Sequence, residues 1–312
     1  MTIADKKITI RTALIAALGG FLMGFDASVI AGVVGFIELE FSLNKIELGW
    51  SVASLALAAT IAMLVAGPMS DRYGRKPILR AAAVLFAISA LASAFAPSFS
   101  ALVIARIIGG LGVGAALIIA PMYIAEIAPA ATRGRMVSIN QLNIVIGISV
   151  AFFSNYMILN LSQSGAAWTE SAMLDSQTWR WMLGIELIPA VLYFFSLRFV
   201  PESPRWLAMQ GDSNEAMKVL RLFNGAEQAK TELKLITRSL TAGAEAAAGG
   251  FRSLLEPSLR KVMVIGLVVA ILQQITGINA VFFYAPMIFE QSGIGTDASF
   301  MQAVLVGLTN LV

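Results

Sequence analysis

Asp26 and Arg106 each stand alone inside a long apolar run, and they are the first candidates for chemistry. Asp26 is the only charged residue between positions 12 and 37, and Arg106 is the only one between 100 and 125. Glu186 is a further charge in apolar surroundings. The chain has neither histidine nor cysteine. The commonest general base, thiolate metal sites and disulfides are therefore excluded, and proton chemistry falls to carboxylates. No cofactor or metal is expected. A second set is neutral: Gln141 and Asn143 in one run, and Gln273, Gln274 and Asn279 in another. Amides donate and accept at once, which suits a ligand bearing several hydroxyls. The alternative is helix–helix hydrogen bonding, worth about 0.6–2 kcal/mol per contact. Their spread over two helices favours the ligand.

The elements that hold these residues follow from composition. Of 312 residues, 58% are hydrophobic and 13% charged, with mean hydropathy +0.79. A soluble domain carries about 25% charged residues, so the chain reads as an all-α protein crossing a membrane several times. Only helices satisfy their own backbone in lipid at this composition. Apolar runs place spans near residues 12–37, 48–69, 77–96, 100–127, 135–161, 179–200 and 258–291. An eighth begins near Phe300 and is too short, at about 1.5 Å per residue, to cross about 30 Å, so the sequence reads as a fragment. The first run lacks a small-residue cleavage site and reads as a span rather than a signal peptide. Residues 201–256 are too polar to cross; 214–223 and 229–241 have the pattern of amphipathic helices at a membrane surface.

Orientation follows from Lys and Arg. With the N-terminus in the cytoplasm, nineteen of the 22 lie on cytoplasmic segments, Lys45 and Arg180 lie outside, and Arg106 lies within a span. Counting from Arg11, Asp26 then sits about 8 Å below the outer face, and Arg106 about 9 Å below it. Equal depth makes a pair. A paired Asp in an apolar site is ionised, and breaking the pair favours its protonation. That is what proton coupling requires. A static bridge joining two helices is the other reading, and the residues alone leave both open. Gly109, Gly110, Gly112 and Gly114 read as close helix packing, and Pro121, Pro189 and Pro286 as tolerated kinks.

The cytoplasmic turns repeat a pattern of carboxylates beside guanidiniums. Gly67, Asp71, Arg72, Gly74, Arg75 and Lys76 fall in a polar hinge, residues 67–76, read as a tight turn between the second and third spans. Glu126 and Arg133 follow the fourth span, and Glu202 and Arg205 follow the sixth. Such groups form and break bidentate pairs. Topology explains the cations but not their acidic partners.

Four stretches together, residues 67–76, 121–134, 201–207 and the run Gln273-Gln274-Ile275-Thr276-Gly277-Ile278-Asn279, resemble the sugar porter family of the major facilitator superfamily, most nearly its bacterial proton–sugar (xylose-type) symporters. The resemblance covers essentially the whole chain. It implies a six-helix N-terminal bundle (1–200), a cytoplasmic helical linker (201–257) and the start of a C-terminal bundle (258–312). It assigns proton coupling to Asp26 and Arg106, and sugar contact to Gln141, Gln273, Gln274, Asn279, Phe283, Tyr284 and Asn310. It assigns a cytoplasmic gate to Gly67, Asp71, Arg72, Gly74, Arg75, Lys76, Glu126, Arg133, Glu202 and Arg205. Met23, Ile148 and Thr276 depart from the family's more usual Phe, Gln and Ser; the first two bear on which sugar binds. The expected function is proton-coupled import of a pentose or hexose by alternating access, in the inner membrane, as a monomer whose partners are sugar, proton and bilayer, with no nucleic acid. A passive facilitator or exchanger and a non-transporting sugar receptor are the alternatives. No nucleophile–base set or phosphate loop points to an enzyme.

Overall fold

The computed structural model describes residues 3–246 and 257–311, and among these every regular element is helical. In chain order they are α1 (Ile3–Val29), α2 (Val34–Glu40), α3 (Lys45–Tyr73), α4 (Arg75–Ala94), α5 (Phe99–Ile127), α6 (Arg133–Ser162), α7 (Ala167–Ser171), α8 (Thr178–Gly184), α9 (Leu187–Ser196), α10 (Pro204–Met209), α11 (Ser213–Asn224), α12 (Ala226–Ala246), α13 (Pro257–Ile275), α14 (Ile278–Phe283), α15 (Ala285–Gln291) and α16 (Thr296–Thr309). Seven helical stretches among the described residues are long and apolar enough to cross a membrane, the first being Lys7–Gly32 and the last Leu259–Phe283. They coincide with the seven expected spans. The polar segment after the sixth forms α10, α11 and α12; its residues 247–256 lie outside the described set.

Four boundaries differ from the sequence reading, each for a local reason. The first span breaks into a 3-10 turn at Ile30–Gly32, because Asn155 on α6 donates to the Val29 carbonyl (2.9 Å) and Val33 N–H falls back on Ile30 O (2.9 Å). The hinge at 67–76 is almost wholly helical: α3 continues through Pro68 to Tyr73, and the turn is the single residue Gly74, at φ 102°. A side chain rarely adopts that φ. The sixth span breaks at Ile185–Glu186, since Pro189 lacks the N–H that would bond Ile185 O, which Ile188 N–H takes instead (3.1 Å). The seventh is three helices rather than one, interrupted at left-handed Gly277 (φ 73°) and at Tyr284.

Packing brings α5 to the centre, between α3 and α4, with α1 against α5 and α6 and with α16 on α6. A methyl group on Gly110 or Gly114 would strike the Leu55 or Ala59 carbonyl of α3, so these glycines set how closely the two helices approach. Buried apolar side chains form two main clusters, stacked along the helices. One holds Ala13 to Leu22 of α1 with Phe86, Val113, Ala190 and Tyr193. The other holds Phe25 to Ile37 with Ala96, Leu102, Trp179 and Leu183. On α3, α4, α5 and at the α8–α9 break the chain passes from one cluster to the other at a buried polar residue (Ser54, Ser89, Arg106 and Glu186), and on α1 Asp26 lies just past the crossing.

Gly114→Leu is expected to lower stability by about 1–3 kcal/mol or more, because backbone blocks the added side chain. Gly67→Ala, where a methyl meets no atom within 4 Å inside α3, is expected to raise it by up to about 1 kcal/mol. Thermal unfolding in detergent compares the two.

Candidate functional site

The belt between the two clusters is the first candidate site. Arg106 from α5 donates through Nη1 to Asp26 Oδ1 and through Nη2 to the Asp26 carbonyl (3.0 Å). Both side chains are withdrawn from solvent, at 0% and 2% exposure. The two residues read as a pair from the sequence make a two-point contact between α1 and α5. The pair is not fully satisfied, since Asp26 Oδ2 and Arg106 Nε have no hydrogen-bond partner among the described residues. Glu186, at the α8–α9 break, is equally buried, lies within electrostatic reach of both, and leaves Oε1 unpartnered. The sequence marked Glu186 as an intramembrane charge but gave no sign of its neighbours. The Pro189 kink was the available signal. Two carboxylates and one guanidinium in an apolar interior hold a net negative charge unless a carboxylate is protonated, and burial strongly disfavours the unneutralised state.

The cluster where α3, α4, α5 and α10 meet is denser. Arg75 makes a bidentate contact with Glu126 (Nε to Oε2 and Nη2 to Oε1, both 3.0 Å), and its Nη1 reaches Asp71 at 2.9 Å and the Ser70 carbonyl at 3.1 Å. Ser203 donates to Glu126 at 2.5 Å. Glu202 accepts from the backbone N–H groups of Arg75 (3.0 Å), Lys76 (3.2 Å) and Ser203 (2.8 Å). It therefore caps the start of α4, where an anion is favoured by free amides and the helix dipole. Trp206 on α10 and Gln210 just after it donate to the Asp71 carbonyl, and Tyr123 on α5 donates to Pro201 O at 2.8 Å. Of the gate residues expected from the sequence, Asp71, Gly74, Arg75, Lys76, Glu126 and Glu202 converge here. Arg133 pairs instead with Glu232 of α12 (3.1 Å), Arg205 reaches Ser239, and Arg72 lies over its neighbour Tyr73. Gly67 lies inside α3 facing open space. Ser203, Trp206 and Tyr123 were not singled out by sequence, and their uncharged side chains explain why.

The amide set is less assembled. Asn279 donates to Gln274 at 3.0 Å. Gln141, Gln273 and Asn310 are exposed, and no hydrogen bond joins Gln141 to the others among the described residues. Asn143 is turned back on its own helix, donating to Ile139 O. Phe283 and Tyr284 pack against the cluster that contains Phe25 and Val29. No group of three or more His, Cys, Asp or Glu able to hold a metal occurs among the described residues.

A family model described as "Sugar (and other) transporter" matches residues 12–312. This chain belongs to that family. Among its sugar-transporter relatives is the arabinose–proton symporter of Bacillus subtilis (strain 168), 42% identical over 298 residues, covering 95% of this chain and 62% of the relative. The D-xylose transporter of Levilactobacillus brevis is 37% identical, with 95% and 61% covered. The galactose–proton symporter of Escherichia coli (strain K12) is 38% identical, with 99% and 63% covered. The chain thus spans about three fifths of the curated relatives it matches. Among solved structures, a major facilitator superfamily proton:xylose symporter bound to 6-bromo-6-deoxy-D-glucose superposes with TM-score 0.84 at 37% identity, covering 98% of this chain and 68% of the other. The fold is the corresponding part of the major facilitator fold, the chain is a multi-pass membrane protein, and the sugar-transporter family sets it among transporters rather than enzymes.

Arg106→Met is expected to cost about 3–5 kcal/mol, because it strands a carboxylate in an apolar interior. The double variant Asp26→Asn with Arg106→Met is expected to recover most of that loss. A double-mutant cycle on thermal unfolding reads the coupling.

Proposed function

We propose that the protein imports a pentose or hexose together with a proton, by alternating access between two halves of a major facilitator fold. The observation that carries the proposal is the buried Asp26–Arg106 pair, with one carboxylate oxygen held and the other open. Arg106 compensates the charge of Asp26, and a movement that loosens the contact leaves a carboxylate in an apolar site, where it takes a proton. The named activities of the arabinose, xylose and galactose relatives support the same direction. The potential supplies about 2.3 kcal/mol per charge per 100 mV.

The remaining roles follow. The divisions are 1–200 as the first bundle, 201–257 as the cytoplasmic linker and 258–312 as the start of the second bundle. Gln141, Gln273, Gln274, Asn279 and Asn310 would meet sugar hydroxyls, and Phe283 and Tyr284 would pack on the ring. The cluster around Arg75, Glu126 and Glu202, with the neighbouring Gly67, Arg72, Arg133 and Arg205, would hold the cytoplasmic side shut until the halves rock apart. The setting is the inner membrane with the N-terminus in the cytoplasm, and the working unit is a monomer. A passive facilitator or exchanger is the second reading, in which the Asp26–Arg106 bridge is static.

In vesicles containing the full-length gene product, sugar addition is expected to make the medium more alkaline as labelled sugar accumulates. Asp26→Asn is expected to abolish accumulation while leaving exchange across the membrane. Accumulation that survives Asp26→Asn would sink the coupling assignment. Gln274→Ala is expected to raise the half-saturating sugar concentration about fivefold, the loss of roughly one hydrogen bond.

A further inference from the structure

Beside the unpartnered Asp26 Oδ2 lies a small space where α4 and α5 meet. It exists because residue 109 has no side chain: a methyl there would stand 2.8 Å from Asp26 Oδ2 and 2.5 Å from Ser89 Oγ. Ser89 is buried, at 1% exposure, and donates its one proton to the Ala105 carbonyl at 2.9 Å. What its oxygen still offers towards the space is therefore lone pairs. An acceptor beside a carboxylate oxygen is unfavourable, whereas beside a carboxylic acid O–H it is a hydrogen-bond partner. Asp26 thus has two unlike sides. Arg106 on Oδ1 suits the anion, and Ser89 near Oδ2 suits the acid.

We propose that the proton carried by Asp26 resides on Oδ2 in the space left by Gly109, donated in a hydrogen bond to Ser89 Oγ. The proposal rests on the coupling role given to Asp26 above and adds the atom that is protonated and the residue that receives it. A hydronium ion from the outer side gives up its proton, an O–H bond forms on Oδ2, and a water molecule is left. Arg106 keeps all its protons and loses only its ionic partner. Ser89 keeps its bond to Ala105 and gains an incoming one, so the chain Asp26–Ser89–Ala105 runs in one direction. Ser89 is a positioning residue here: it holds the acid form and never itself ionises.

Few other charges bear on the site. α5 supplies Arg106 and the α8–α9 break supplies Glu186. α4 between 81 and 94, α6 between 136 and 162, and α14 contribute no Asp, Glu, Lys or Arg. Tyr193 of α9 directs its hydroxyl to the Ala16 carbonyl (3.4 Å), and α11 meets α1 within the other apolar cluster.

The test is directional. Removing the acceptor by Ser89→Ala destabilises the protonated form, so the alkaline limb of proton-driven sugar uptake should move to lower pH, by about 0.5–1 unit for one hydrogen bond. Ser89→Thr, which keeps the hydroxyl, should restore the limb. In infrared difference spectra with isotope-labelled aspartate, the acid C=O band of Asp26 should move to higher frequency in Ser89→Ala. If Ser89→Ala does not insert, Ser89→Cys, a weaker acceptor, should give the same signs with smaller shifts. A limb that moves to higher pH would mean that Ser89 donates to the carboxylate, and the proposal falls. An unmoved limb and an unchanged band also overturn it. Asp26→Asn separates the two levels: if it abolishes accumulation while the serine variants behave as wild type, only the role of Ser89 is wrong. If accumulation persists, both readings fall.

Discussion

An ionic contact sealed between two layers of hydrocarbon governs this structure. A lone carboxylate at the depth of Asp26 would cost several kilocalories per mole, and so would a lone guanidinium at Arg106. Neither helix α1 nor α5 is comfortable without the other. The pair therefore dictates that these helices touch, at that height, with the backbones close enough for Nη2 to reach the Asp26 carbonyl as well as the side chain. The stacked apolar clusters on either side keep water out and make the contact strong.

The rest of the bundle is arranged so that α5 can occupy the middle. Glycines at 110 and 114 let it lie against α3. The glycine at 109 leaves room on its other side, where α4 brings Ser89. Proline at 189 opens the sixth span just where Glu186 must turn inward. Polar groups meet at one level because each helix departs from plain apolar packing at that level. At the end where α3 meets α4 the logic is reversed: specificity comes from a bidentate arginine and a capped helix start rather than from exclusion of solvent.

Much of this was legible in the residues. Span number and the Asp26–Arg106 partnership followed from charge placement and a rise of about 1.5 Å per residue. So did the meeting of Asp71, Arg75, Glu126 and Glu202 at one face, because hydrophobic length and charge are one-dimensional signals. The misread features depend on three-dimensional neighbours. The first span breaks because Asn155, far along the chain, captures Val29 O. The seventh looked continuous because Gly277 costs little in an apolar pattern, though its left-handed backbone ends a helix. Arg133 and Arg205 carry the right charge in the right turns, but α12 offers them nearer partners in Glu232 and Ser239. The neighbours of Glu186, and Ser89 altogether, were out of reach for another reason: a single polar residue in an apolar run says nothing about which side of the helix faces which neighbour.

Glu202 shows a different kind of durability. Its carboxylate is gripped by main-chain amides at the start of α4, not by the side chains of Arg75 or Lys76. Substituting either of those residues with anything but proline leaves the donors in place. The join between the polar linker and the membrane bundle can therefore outlast wide drift in the basic residues around it. The Glu202 contact would therefore survive loss of either basic side chain, whereas the buried Arg75–Glu126 pair beside it would not survive loss of Arg75.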